Sequence, residues 1–457
     1  MKIGYVLALL AAAALPAAAP AQQDRPAYVR ALAAGYKASF VCSNLFNGGL
    51  SEAQTAADDL TGTYDSLTPL FAKLEARVDR EARTISVAYD PAMPPRLAAW
   101  RPTLGCTTLP IGATADAIAA LPRVEARAPD LDARRWPMGD RDATASTPAA
   151  LRTAVARAFD RRSYGQGSET TAVVVVKDGR IVAEQYRPDF NMHSSQRTWS
   201  VGKSLAATVI GAAVQQRLID VAAPAPVPEW KAPGDPRVRI TTDQLLRMVS
   251  GLNSDHAGNR TDALYFGGIG VAEQAGGWPI VAAPGTAFRY ANNDTVLAIR
   301  GLQHVLGDGD KSLRFPFEAL LWKIGMTRTV PETDTRGHFI MSSQVWTTAR
   351  DLARLGLLYL DNGMWDGQRL LPANWRSYVA RQGPAQPPSG YGYGASWWTF
   401  PKDSGLPQGA IIARGNRGQY IVVIPSRTLV IVRRGFDGSA MNFDLDAFTR
   451  DVLATLN

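Results

Sequence analysis

The sequence predicts an α+β protein. Its parts are an antiparallel sheet flanked by terminal helices, an all-helical subdomain beside it, and a separate N-terminal extension. Three observations lead there. Thr171–Val176 and Arg180–Tyr186 are strand-like runs joined by Asp178-Gly179, the residue pair of a tight hairpin. Gln419–Ile424 and Leu429–Arg433 repeat that arrangement around Pro425-Ser426. Between the hairpins, roughly residues 200–385 read mostly as helix, with 3.6-residue periodicity over Val201–Arg217, Thr242–Val249 and Thr348–Asn362.

The first residues precede the fold. Lys2 supplies a short positive region, Ile3–Leu15 is apolar apart from Gly4, and Ala19-Pro20-Ala21 precedes Gln22. This is the layout of a cleaved secretory signal over residues 1–21. The run is shorter than the ~20 residues that span a bilayer, and no other segment qualifies. No Cys stands at the cleavage point, which argues against a lipid anchor. The expectation is a periplasmic or secreted protein without an integral membrane segment after cleavage.

Residues 22–135 read as a module of unknown role. Tyr28–Phe46 has helical spacing, and Thr84–Tyr89 alternates as a strand with Ile85, Val87 and Tyr89 on one face. Ala126–Asp142, rich in Pro, Asp and Arg, reads as a linker. The chain's two Cys, Cys42 and Cys106, both lie in this module. They lack CxxC spacing and clustered His, so they do not form a zinc site. An oxidising compartment favours a disulfide between them, with two buried free thiols as the other reading.

Residues 136–457 form the second unit. Pro148–Phe159 is an amphipathic helix with Ser146-Thr147 as its expected cap, and Asp444–Leu456 is the closing helix. A cleft between sheet and helical subdomain is the default active site.

Composition excludes several classes. Of 457 residues, 46% are hydrophobic and 20% charged, which fits a globular chain. The net charge is +8, but the basic residues are scattered with no run of five, so no nucleic-acid partner is expected. The four His show no H-x-x-x-H spacing, and neither a metal nor another cofactor is implied. Gly202-Lys203-Ser204 mimics the end of a P-loop, yet Arg197 stands where that motif needs its first Gly. No G-x-S-x-G nucleophile elbow occurs.

The chemistry-bearing pattern begins with Ser200-Val201-Gly202-Lys203 at the start of a helix. Residues i and i+3 share a helix face, so the Lys203 amine is expected beside the Ser200 hydroxyl. Desolvation favours a neutral lysine, which can accept the serine proton and create a nucleophile. A capping serine beside a solvated lysine is the alternative. Next comes Tyr290-Ala291-Asn292, after a Pro284-Gly285 turn. Of 14 Tyr, only Tyr290 has Asn two positions on. A phenol near a lysine can pass a proton, and a carboxamide can orient both lysine and substrate. The last element is Ala413-Arg414-Gly415-Asn416-Arg417-Gly418-Gln419, where two Gly let backbone approach a ligand closely.

These elements, in this order, resemble the serine β-lactamase and penicillin-recognising superfamily. The closest resemblance is to class C β-lactamase-like serine hydrolases of the 6-aminohexanoate-dimer hydrolase type. It spans about residues 150–457 and includes Ile240-Thr241-Thr242, Met248–Leu252, Thr348–Gly356 and Tyr391–Gly394 before Trp397-Trp398. The resemblance implies a β-lactamase/transpeptidase-like fold. It implies Ser200 as nucleophile, Lys203 as base, Tyr290 as second proton carrier and Asn292 as a substrate-positioning group. It also implies an oxyanion hole from the N–H groups of Ser200 and Asn416, with Gly415 in the third motif. That motif normally opens with Lys or His; here Ala413 stands there, and Arg414 or Arg417 is left as a substitute cation. The activity expected is amide or ester hydrolysis of a small or short peptide-like substrate. The alternatives are a D-Ala-type wall peptidase or β-lactamase, and a non-catalytic binding or sensor protein. Trp397 or Trp398 is expected to line the pocket.

Overall fold

A computed structural model describes residues 25–144, 146–253, 261–438 and 443–456. The segment expected to be a signal, residues 1–21, lies outside the described residues.

A seven-stranded antiparallel sheet organises the second unit. Its order is Gly392–Tyr393, Trp398–Thr399, Ile411–Gly415, Gln419–Ile424, Leu429–Gly435, Thr170–Lys177, Arg180–Tyr186. The last hairpin of the chain therefore pairs with the first, placing Val174 opposite Val432 and Val175 opposite Ile431. Asp178 and Gly179 both take positive φ, 50° and 78°, which a two-residue turn of this hand requires.

Alternation sorts the strand residues between two cores. Val173, Val175, Ile412, Val422 and Ile431 face one layer, where Leu151, Val155, Phe448 and Val452 of the terminal helices cover them. Val174, Ala413, Ile421, Val430 and Val432 face the other, against Val201–Gln215 and Ala349–Leu360. The latter helix lies close on the sheet: a Cβ at Gly356 would come 2.4 Å from Val430. Each Val or Leu so enclosed contributes roughly 1.5–3 kcal/mol of burial.

Two details differ from the sequence expectation. The first helix of this unit, Ala149–Arg157, starts after Pro148, and neither Ser146 nor Thr147 caps it. Pro148 is itself the N-cap, with ψ 142°, and its ring offers no side-chain acceptor. The region 200–385 is helical but also carries short strands: Val345–Thr347 pairs with Gln196–Arg197 on one side and Val330–Pro331 on the other, and Met364–Trp365 pairs with Gln368–Arg369.

The N-terminal extension has its own architecture. The helix Arg25–Ser43 packs on a four-stranded meander of Ala76–Asp79, Thr84–Val87, Arg96–Arg101 and Gly105–Thr108. Cys42 and Cys106 are bonded to each other, tying helix to sheet. Its core is nonetheless continuous with that of the second unit: Tyr36, Phe40, Trp199, Val201 and Trp346 belong to one buried cluster. Buried polar bonds cross the same boundary. Glu332 accepts from Ser43, Asn47 and the Cys106 amide at 2.6, 2.9 and 3.1 Å. Ala126–Asp142 is irregular, as a linker should be, yet it is docked, with the Trp136 indole donating to Gly179 O at 2.8 Å. Among the described residues, no helix is long and apolar enough to cross a membrane.

Candidate active site

Ser200 is the N-cap of the Val201–Gln215 helix, but its backbone is helical and its hydroxyl caps nothing. The capping alternative is therefore excluded. The hydroxyl instead faces Lys203, 3.1 Å from Nζ. The amine also donates to Asn292 Oδ1 at 2.6 Å and to Ser342 O at 3.1 Å. Both of those partners are pure acceptors. A neutral amine that keeps both bonds therefore turns its lone pair toward the Ser200 hydroxyl.

Electrostatics favours that neutral form. Lys203 is 1% exposed. Burial, reinforced by the Arg197 guanidinium and opposed by Asp294, brings its ammonium down to about 7. Arg197 is itself buried, bonded to Ser343 and stacked 4.0 Å from the Trp199 ring centroid. Burial raises the Asp294 carboxyl to about 7, against a 3.0 Å bond from Ser250 Oγ. A partly protonated Asp294 pulls less on the lysine.

Tyr290 lies with its ring centroid 4.9 Å from Lys203 Nζ, and packs against Tyr393 and Trp398. Desolvation pushes its phenol up to about 12, offset in part by a hydrogen bond with Ser200. It is a protonated donor at neutral pH.

The strand Ile411–Gly415 runs beside the nucleophile. A Cβ on Gly415 would sit 2.4 Å from Thr198 O and 3.1 Å from Ser200 N, so only glycine allows this approach. Asn416 follows, exposed at the strand end. Ser200 opens a helix, so its amide is among those with no intrahelical acceptor. Trp199, just before it, takes φ 49°, a left-handed conformation unusual for a large side chain. Such strain recurs where a backbone is held for function. Arg434 braces the approach, donating to Gln196 O at 2.9 Å and Arg197 O at 3.1 Å.

The site opens into a cavity of about 670 Å³ lined by Ser200, Tyr290, Asn292, Trp398, Arg414 and Tyr64, among others. The predicted Ser200, Lys203, Tyr290, Asn292, Gly415 and Asn416 are thus brought together at or beside one cleft. Trp398 lines it; Trp397 is fully buried against Tyr359. Of the two arginines, Arg417 is committed elsewhere, donating to Asp58 O, Thr61 O, Phe436 O and Asp437 O. Arg414 faces the cavity, stacked 4.2 Å from the Tyr391 ring centroid, with no carboxylate in ion-pair distance among the described residues.

Sequence reasoning does not single out Arg197 as part of the site, nor Ser342, Arg434 or Tyr64. Each acts through packing between distant segments, and no spacing signals it. Among the described residues one acidic-histidine cluster, Asp132, Asp140 and His193, has a geometry compatible with a metal. Arg328, Arg350 and Arg354 already pair with its carboxylates.

The Beta-lactamase family model matches residues 155–433. The 6-aminohexanoate-dimer hydrolase of Paenarthrobacter ureafaciens is 27% identical over 299 residues, covering 58% of this chain and 72% of that protein. A Bacillus anthracis structure assigned as a candidate 6-aminohexanoate-dimer hydrolase superposes with TM-score 0.55 at 22% identity, covering 74% of this chain and 87% of the other. A class C β-lactamase superposes with TM-score 0.52 at 15% identity, over 67% and 96% of the two chains. With residues 155–433, more than half of its length, matched, the chain belongs to the Beta-lactamase family and is a serine hydrolase of that fold.

Proposed function

We propose that this protein is an exported hydrolase that cleaves a small carboxylic amide or ester through an acyl-enzyme on Ser200. The observation that carries this is the Lys203 amine, held by two acceptors so that its free valence points at Ser200 Oγ. The amine takes the hydroxyl proton as Oγ bonds to the substrate carbonyl carbon. The negative charge passes to the carbonyl oxygen, which the Ser200 and Asn416 N–H groups stabilise. The tetrahedral species collapses with loss of the amine or alcohol, and the proton taken from Ser200 reaches that group by way of Tyr290. Water then repeats the sequence on the acyl-enzyme, releasing the acid and restoring the serine. Export rests on the N-terminal apolar run and on the disulfide, a bond that persists in oxidising compartments.

Arg414 narrows the substrate. It is the cation left in the cleft once Arg417 is accounted for, so a substrate bearing a free carboxylate is favoured. The amide reading draws support from the Paenarthrobacter ureafaciens relative, named as a hydrolase of the 6-aminohexanoate dimer.

The test is intact-protein mass spectrometry after mixing with a p-nitrophenyl ester, with Ser200→Ala in parallel. The expected result is an acyl adduct that decays with time and is absent from the variant. An equal adduct on both proteins, or none on a folded wild type, rejects the assignment.

A further inference from the structure

The described part of the cleft is not built by the family-matched segment alone. Thr63 and Tyr64, far outside residues 155–433, line the same cavity as Ser200. Their position is fixed at several points. Arg417, at the turn after Gly415 and Asn416, donates to Asp58 O at 2.6 Å and Thr61 O at 3.0 Å. The same guanidinium donates to Phe436 O at 3.0 Å and Asp437 O at 3.2 Å, tying segment 58–61 to segment 436–437. Asp58 is held a second time, by both Arg187 terminal nitrogens at 3.1 and 2.5 Å. Backbones approach closely here: a Cβ at Gly62 would lie 3.4 Å from the Gly438 Cα. Tyr64 is wedged among aromatic rings, 5.4 Å from Phe266, 5.7 Å from Tyr36 and 6.3 Å from Trp199, with ring planes steeply inclined. Trp199 immediately precedes the nucleophile and is a fellow cavity residue.

We propose that the N-terminal extension supplies one wall of the substrate pocket, with Tyr64 as a size-selecting residue against an apolar arm of the substrate. A ring anchored at its edges by other rings is a rigid surface, and it gains from contact with an apolar chain. The Arg417 clamp keeps that surface at a fixed distance from Ser200, since it joins the extension to the turn that follows Gly415. The substrate's carboxylate at Arg414 and its apolar arm along Tyr64 and Trp199 would then leave the scissile carbonyl between them. This inference rests on the serine-hydrolase reading and adds selectivity to it.

The experiment uses the full mature chain with Tyr64→Ala, Tyr64→Phe and Ser200→Ala. Two ester series are assayed: p-nitrophenyl esters from acetate to octanoate, and acetate esters of phenols of increasing size. The expected result for Tyr64→Ala is a change of at least fivefold in the ratio of kcat/KM for the longest to the shortest member of one series. The other series should hold its ratio within twofold, and Tyr64→Phe should keep the wild-type ratios. Uniform loss across both series, or unchanged ratios in a folded Tyr64→Ala, overturns the wall. If Tyr64→Ala does not fold, Tyr64→Leu takes its place, with the same criteria. Turnover of no ester by wild type, equal to Ser200→Ala, overturns the hydrolase reading and the wall with it. Wild-type turnover that Ser200→Ala abolishes upholds the hydrolase reading, and the Tyr64→Ala ratios then decide the wall by themselves.

Discussion

The Lys203 amine and the Asn292 carboxamide are joined by a 2.6 Å bond across 89 residues of sequence. That bond, together with the one to Ser342 O, takes up two of the amine's valences. The remaining one meets Ser200 Oγ at 3.1 Å. Replacing Lys203 with Ala should therefore lower turnover by about 10³-fold or more with the protein still folded, as should Ser200→Ala, because the two act as a unit. Turnover kinetics alongside thermal melting would check this, and a variant with wild-type rates would sink the assignment.

The same arrangement sets a pH dependence. Catalysis needs the lysine neutral, and its folded value is brought down to about 7 by burial and Arg197. The kcat/KM profile should rise with pH through about 7 and then level. Arg197→Gln removes a like charge, so the ammonium becomes easier to keep and the rising limb should move to higher pH. A limb that stays in place would separate Arg197 from the lysine.

Tyr290→Phe keeps the ring packing against Tyr393 and Trp398 but deletes the proton carrier. The expected loss is on the order of 10²-fold in kcat. It should be smaller for esters of acidic phenols, whose leaving groups need no proton. Comparing an activated ester with an anilide of the same acid measures this.

Arg414→Ala should raise KM about tenfold for substrates carrying a free carboxylate and leave neutral esters nearly unchanged, since one charge-assisted contact is lost. Equal effects on charged and neutral substrates would show that the guanidinium only packs against Tyr391.

Glu332 offers a stability test remote from catalysis. Burial raises its carboxyl to about 7, although three donors converge on one oxygen. A folded value above the unfolded one contributes stability that is complete below about pH 4.5 and is lost as pH rises through about 7. Glu332→Gln keeps an acceptor for those donors and cannot ionise. It should flatten the fall in stability between pH 5 and 8 by roughly 2–3 kcal/mol. Parallel denaturation at both pH values would show it.

Much of the site is legible in the sequence because it is local. Ser200 and Lys203 are one helical turn apart, so the periodicity of an α-helix alone places their side chains together. Asp178-Gly179 specifies its hairpin by needing positive φ at both positions. The continuous Val and Ile runs of the two hairpins announce strands whose two faces are both covered. The motif order, Ser200 to Tyr290 to Gly415, carries the family resemblance as well.

What the tertiary structure alone decided is long-range. By sequence, Arg414 and Arg417 are equally open as substitutes for the missing third-motif cation. Only packing shows Arg417 occupied by the carbonyls of Asp58 and Thr61 while Arg414 keeps the cleft. The extension over 22–135 reads as separate because no periodicity links Phe40 to Trp346 or Tyr64 to Trp199. Those contacts come from one continuous core that buries both surfaces. Burial is a property of the folded assembly, and so is the depressed proton affinity of Lys203, which sequence spacing identifies as a base but only desolvation makes one.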